Sequence, residues 1–529
     1  MPSTALNEPP TAREDARRGR RRAERTVDIL GRRPGPVALA VVGAVQVALV
    51  VSFWQPLTAS TRVAATAAAV VACTTLALLL RLRGNRQFSL GVVLLASYAV
   101  FHLGVSPYLV RGALPGLLAA PDGDPVGWLL SPEIATATTL TTLSMAVFLL
   151  GYALAALAQR RRRSRTEPVE PAGDTAGATT AMLWLGPVLA CGGTLLLLSV
   201  VQAEGWDSLG AANYALYRTE EHRAQLGYAF LLLGVGLAVL GTNGRRGRSH
   251  LWALALAPFV VIPLAIGWRG GTIFPIAAYL VGWSRSHRMR VRPWHAVALL
   301  ALLTLGSIVR QARERGPKDF RLTEVSVNPM DGLAELGATL RTVVVVREWH
   351  GLRGEPFTGW ATYWAPVERL LDRLLGLPFT PAALDERNLS TVFLSRTGIG
   401  AIGGSPTAEA YRAAGVLGIV VVFMLIGALV AYLDSRPSGT LSEYAVALVG
   451  YVLLVWSRNN FTPVVAQLAL CLGVLALAGA WETLRARAAA AGPPRLVAGP
   501  PRLVAGPPRL VAGPARLVTV PTRQAAAGP

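Results

Sequence analysis

Residues 397–434 read TGIGAIGGSPTAEAYRAAGVLGIVVVFMLIGALVAYLD. A glycine-rich loop, Gly398 to Gly404, runs into a helix start, with Ser405 placed to cap it and Pro406 at the first helical position. Glu409, Tyr411 and Arg412 fall on the first turns, and about twenty apolar residues follow. A run of that length crosses a bilayer, so the loop–helix junction is expected at a membrane surface. Glycines let backbone N–H groups crowd together, and a helix N-terminus carries partial positive charge, so the junction reads as an anion site. Gly400, Gly403 and Gly404 are its expected backbone donors. Gly398, Gly400 and Gly403 also spell G-x-G-x-x-G. The dinucleotide motif needs a preceding strand and a βαβ unit around it, and here a polar loop precedes and a membrane helix follows.

Working outward, the same apolar signal recurs along the chain. The 529 residues are 52% hydrophobic and only 15% charged, a balance that predicts an all-α polytopic integral membrane protein. Twelve apolar stretches stand out: 36–54, 63–80, 88–109, 134–158, 181–201, 227–241, 251–267, 271–284, 294–309, 415–433, 441–457 and 462–481. All are expected to be transmembrane helices, because lipid offers no partner to an unpaired backbone group. The first is read as a retained span, since a signal peptide has a shorter core and a small-residue cleavage site. Arg81 to Arg86, Arg160 to Arg165, Arg245 to Arg248 and Arg285 to Arg292 are short basic connections, which places them and both termini in the cytoplasm. The stretch 271–284 is the shortest; without it every later loop would change sides. The organisation is therefore a basic cytoplasmic tail (1–35), nine spans (36–309), a long extracytoplasmic loop (310–414), three further spans (415–484) and a cytoplasmic tail rich in Pro, Gly and Arg (485–529). That last tail repeats A-G-P-P-R-L-V, whose prolines forbid a coiled coil.

The net charge of +21 fits cytoplasmic arginines in a membrane protein and calls for no nucleic-acid partner. Cys73, Cys191 and Cys471 lie inside apolar runs, with no metal or disulfide spacing. No Walker loop and no G-x-S-x-G elbow occurs, and Asp122-Gly123-Asp124 between prolines reads as a turn. No cofactor or metal is expected. The loop 310–414 is too long for a connector. Trp360, Tyr363, Trp364, Val367, Leu370, Leu371 and Leu374 recur at helical spacing, predicting an aromatic-rich helix lying in the membrane interface. Leu333, Leu336, Leu340 and Val343 predict a second helix, also part of a lid over the bilayer. Arg310 and Arg313 share a helix face as the chain leaves the ninth span, and Arg269 stands among glycines between two spans. Arginines so placed are site candidates, and their planar fork suits a diphosphate.

The order of Arg269, then Gly351-Leu352-Arg353-Gly354, then an aromatic helix ending at Leu377-Pro378, then Gly398-Ile399-Gly400 with Ser405-Pro406-Thr407-Ala408-Glu409-Ala410-Tyr411 resembles the Wzy-type O-antigen polysaccharide polymerases, or oligosaccharide repeat-unit polymerases. The resemblance covers roughly residues 200–484. The family pattern is close to G-x-G-x-S-x-x-A-E-x-Y followed by N-F-G-x-x-G; here Arg412-Ala413-Ala414 stands before Gly415. The resemblance implies a metal-independent glycosyltransferase in the cell membrane. It would act on the extracytoplasmic face on polyprenyl-diphosphate-linked oligosaccharide, among membrane lipids, with chain-length regulator and flippase proteins as partners. On that reading Arg269, Arg310 and Arg313 hold the diphosphate with Gly400, Gly403 and Gly404. Glu409 orients or deprotonates the acceptor, with Glu348 and His350 in reserve, and Tyr411 lines the site. A ligase moving finished glycan to another acceptor is the chemical rival. A transporter or flippase is the rival of another class, although no internal repeat or mid-membrane charge marks one.

Overall fold

Backbone groups in lipid must be satisfied within their own segment, and the apolar runs accordingly fold as helices. A computed structural model describes residues 35–83, 87–112, 127–163, 178–205, 220–244, 248–266, 270–287, 289–315, 327–397, 403–436 and 441–490, and no strand occurs among them. Six of the helices are long and apolar enough to cross a membrane, and shorter apolar helices join them. The protein is an all-α polytopic membrane protein. Over the described residues ten of the twelve apolar stretches each fall mainly on one helix, including the short 271–284 within Gly270–Ser286, while 36–54 runs from Pro36–Ser52 into Trp54–Ala59 and 88–109 is shared by Leu90–Leu103 and Ser106–Arg111. The chain divides into two compact units, 1–482 and 483–529, and the first carries the buried core. The repeat tail after Ala490 lies outside the described residues.

The centre of the first unit is helix Pro406–Asp434, which packs along Ile134–Arg163. The two backbones come into contact at glycines. A Cβ on Gly151 would lie 2.4 Å from the Met424 carbonyl oxygen, and one on Gly427 would lie 2.3 Å from that of Phe148. Small residues at a crossing permit this approach, and it takes the place of a hydrophobic driving force that lipid cannot supply. Helix Ile134–Arg163 brings a buried hydroxyl row, Thr138, Thr139, Thr141, Thr142 and Ser144, to the crossing. Each hydroxyl donates to the carbonyl four residues back, so none is left bare.

One end of the bundle is fastened by charge. Asp434 accepts hydrogen bonds from the N–H groups of Leu90 and Gly91, both at 3.1 Å, so it caps helix Leu90–Leu103 from far along the chain. Arg83 pairs with the same carboxylate at 3.1 Å, and Tyr152 donates to it. Arg285 lies at the same end, 3.6 Å from Glu443. The other end carries the segment read from sequence as a lid. The structure corrects that reading for its first part. Helices Pro329–Leu336 and Leu340–Gly351 are joined by a single 3-10 turn, and Leu340–Gly351 is a core element, with Leu340, Val343, Val344, Val345, Val346 and Trp349 buried. The reason is visible in Val343–Val346: four consecutive apolar residues bury a helix on several faces, where a lid would have one stripe. Helix Ala361–Leu375 behaves otherwise. Thr362, Ala365 and Pro366 face inward, while Trp364, Leu371, Leu374 and Leu375 are exposed. Its polar side is tied down by Arg369 to Asp385 (2.8 Å), and Arg387 joins Asp385 to Glu368 (2.7 Å).

Candidate functional site

The helix start lies where the sequence places it. Ser405 accepts from the Ala408 N–H and Pro406 follows, with Gly403 in the left-handed region at φ 82° just before. The residues that follow do not lie on a surface: Thr407 to Ala413 are all buried. The helix then breaks. Ala414 (φ −152°, ψ 31°) and Gly415 (φ 61°, ψ −142°) leave helical geometry, and a second half runs on to Asp434. Gly415 takes a conformation that a side chain would strain, and the Phe357 ring lies against it. Broken backbone at membrane depth persists only where protein buries it or a cavity adjoins it. Both hold here.

Beneath the first half lies a polar layer. His102 Nδ1 is 3.1 Å from the Tyr98 carbonyl, which can only accept, so Nδ1 carries the proton and Nε2 accepts from the Ser405 hydroxyl at 2.8 Å. Thr407 bonds the Tyr98 hydroxyl and, at 3.1 Å, Ser144. On the other side Glu409, fully buried, accepts the Phe461 N–H on both carboxylate oxygens (2.8 and 2.9 Å) and the Trp456 indole N–H at 3.2 Å. Sequence puts Glu409 beside the acceptor; in the structure its carboxylate holds the turn between helices Leu441–Trp456 and Thr462–Ala490. The Gly404 N–H, expected to face an anion, donates to the Arg458 carbonyl at 2.8 Å, and Gly403 packs on the same turn. At Gly403 and Gly404 the glycines give room for backbone to meet backbone, since a Cβ on Gly404 would lie 2.1 Å from Asn460 Oδ1.

The break adjoins a cavity of about 130 Å³ lined by Arg347, Tyr411, Val416, Trp54, Thr58, Thr136 and Leu140. Arg347 donates to the Tyr411 hydroxyl at 3.1 Å and pairs through Nε with Glu133 at 3.1 Å. Its guanidinium also lies over the Tyr411 ring. Tyr411 therefore lines this cavity. Arg347 was missed. Its signal was present: an arginine directly after the apolar run Val343–Val346 leaves a buried helix face with its charge, and such a residue has a partner or a ligand. Arg412 serves differently, donating to the carbonyls of Glu386 (2.8 Å) and Arg387 (3.0 Å) while its own carbonyl accepts from Thr358. Arg269 and Gly400 lie outside the described residues, and Arg310 and Arg313 belong to helix Pro293–Arg315 with side chains that are not described. The cavity therefore stands on Arg347, Tyr411 and the helix break.

The fold is that of a multi-pass helical membrane protein, with a cavity beside the Arg347–Tyr411 pair at a broken helix. Comparison with known proteins gives the family. The family model for O-antigen polysaccharide polymerase Wzy matches residues 129–483, and the chain belongs to that family. Protein CapE of Staphylococcus aureus is 23% identical over 243 residues, 46% of this chain; the match spans about half, 53%, of CapE. No solved structure matches.

Proposed function

We propose that the protein is a membrane glycosyltransferase that polymerises polyprenyl-diphosphate-linked oligosaccharide repeat units into surface polysaccharide on the extracytoplasmic face. The observation that carries this reading is the Arg347–Tyr411 cavity at the break of helix Pro406–Asp434, inside the stretch that matches the polymerase family. As the glycosidic bond breaks, the departing diphosphate gathers negative charge. Arg347 and the N-terminal end of the second half-helix, which begins at Val416, are fixed groups of the right sign, and they act where water is scarce. Arg269, Arg310 and Arg313 are proposed to complete the cationic wall. Glu409 acts as a positioning residue through Phe461 and Trp456. Charge on the leaving group is met by arginine, and the proposed chemistry uses no metal. The apolar stripe of Ala361–Leu375 lies in the outer interface, where the lipid tail of the substrate runs, and the arginine-rich end of the bundle faces the cytoplasm with both termini.

The test is purified protein in detergent with a synthetic lipid-diphosphate repeat unit, run on a gel. A ladder at repeat-unit spacing is expected. Bound substrate without a ladder overturns the reading. So does a deletion strain that accumulates finished polymer on the lipid carrier in place of single repeat units.

A further inference from the structure

The polymerase reading leaves the acceptor hydroxyl without a proton acceptor, because both oxygens of Glu409 are engaged by protein donors. His350 is a different case. Its Nδ1 lies 2.8 Å from the Glu355 carbonyl oxygen, so Nδ1 carries the proton and Nε2 presents a lone pair. That orienting carbonyl is itself held. The Glu355 N–H donates to the Trp349 carbonyl at 3.0 Å, and the Glu355 carboxylate pairs with Arg396. Nε2 is buried and has no hydrogen-bond partner among the described residues. A buried acceptor left bare in this way costs stability, and such groups call for an explanation. A histidine whose tautomer is fixed by one neighbour while its other nitrogen stays open is the arrangement of a base held ready for a substrate.

Its position fits. His350 follows Arg347 by one helical turn on Leu340–Gly351, so the two share a face. Its ring meets the edge of Tyr411, with centroids 6.0 Å apart, and Tyr411 lines the cavity with Arg347. On the other side Phe357 stacks on it at 4.8 Å. Phe357 is 50% exposed and sits between two left-handed glycines, Gly354 (φ 66°) and Gly359 (φ 65°). It is the outer leaf of the stack.

We infer, resting on the polymerase reading, that His350 is the general base for the acceptor sugar hydroxyl, uncovered when Phe357 moves aside. The hydroxyl proton passes to Nε2 and makes an imidazolium. The hydroxyl oxygen forms the new bond to the anomeric carbon of the donor. The bond from that carbon to the diphosphate oxygen breaks, its electron pair leaving with the diphosphate, and the imidazolium then returns its proton to solvent. The charged and titratable groups around the ring are Arg347 and Glu348 on its own helix, Glu355 on the following segment, Arg396 on Leu389–Thr397, and Tyr411 and Arg412 on the broken helix.

The deciding variant is His350→Asn, whose amide can still donate to the Glu355 carbonyl but has nothing in place of Nε2. Assayed as purified protein with the synthetic lipid-diphosphate repeat unit, it should lose on the order of a hundredfold or more in kcat, with KM for the donor within about threefold. His350→Gly should be revived by added imidazole, and the wild-type rate should fall toward acid as one group takes up a proton. A His350→Asn enzyme that elongates at the wild-type rate overturns the assignment. A wild-type profile flat from about pH 5 to 8 does the same whether or not the variants fold. If the wild-type protein makes no ladder, the polymerase reading itself fails and this inference falls with it. A wild-type ladder beside an unaffected variant sinks only the base.

Discussion

At the scale of single residues, the proposed function gives Arg347 and Glu409 different tasks. Replacing Arg347 with Lys keeps the charge but loses the planar fork that holds Glu133 and Tyr411. We expect kcat/KM for lipid-linked donor to fall on the order of a hundredfold, with protein levels preserved; a tenfold or smaller loss in the ladder assay would place the leaving group elsewhere. Glu409→Ala bares the Phe461 N–H and the Trp456 indole inside a buried turn. Unsatisfied buried donors cost about 1–3 kcal/mol each, so this variant should melt well below wild type in detergent, and Glu409→Gln by less. Equal melting of all three proteins, with activity lost, would return Glu409 to the chemistry. Sequence flagged Glu409 because a carboxylate at a helix start beside glycines looks available. The partners that claim it lie about fifty positions away, at 456 and 461, and no local pattern announces them. The same motif puts Tyr411 forward as a candidate, whereas Arg347 follows a stretch that reads as ordinary core.

At the scale of elements, the cap was readable and the break was not. Ser405-Pro406 states its role locally, but Ala413-Ala414-Gly415 reads as the ordinary start of a span, and only packing against Phe357 and the cavity explains the turn out of helical geometry. Gly415→Ala forces a side chain into a sparsely populated positive-φ conformation, which costs about 1–3 kcal/mol, and favours a straightened helix; the variant should lose donor binding more than it loses expression. The turn at 385–387 makes a pH prediction. Partial burial alone would raise the Asp385 carboxyl, but hydrogen bonds from Arg387 and Arg369 and the Arg387 charge outweigh it and hold the group below the usual carboxylate range. A depressed carboxyl stabilises the fold above its unfolded value, about 3.9, and that contribution is lost only as pH falls below it through the folded value. Protease nicking near residue 387 should therefore stay slow from pH 8 down to about 4 and accelerate below; Asp385→Asn should be nicked quickly throughout. A step near neutrality would point to another group. For Ala361–Leu375 the period and its apolar stripe were legible, and the stripe faces outward. Helix Leu340–Gly351 was misread because an unbroken valine run has no stripe to show which side, if any, stays dry.

At the scale of the whole molecule, hydropathy was enough to find the helices, since each apolar run must satisfy its own backbone. The pairing of their ends depends on contacts such as Asp434 with Leu90 and Gly91, separated by more than three hundred positions in the chain. Those contacts sort the first unit into two ends. In a background freed of Cys73, which is exposed, a cysteine at Phe357 should react with an impermeant maleimide in intact cells. One at Arg436 should react only after the membrane is opened. The same accessibility at both positions would remove the proposed extracytoplasmic site.

The close crossing at Gly151 and Gly427 has a mechanical corollary. With peptide planes of two helices in direct touch, the second half of Pro406–Asp434 is latched to its neighbour like a stator, unable to slide or roll without collision. Any stroke in a turnover would then fall to parts not so latched. On the proposed function, a lengthening saccharide would be passed across the outer rim from one lipid to the next, with no need to thread a bore between the helices.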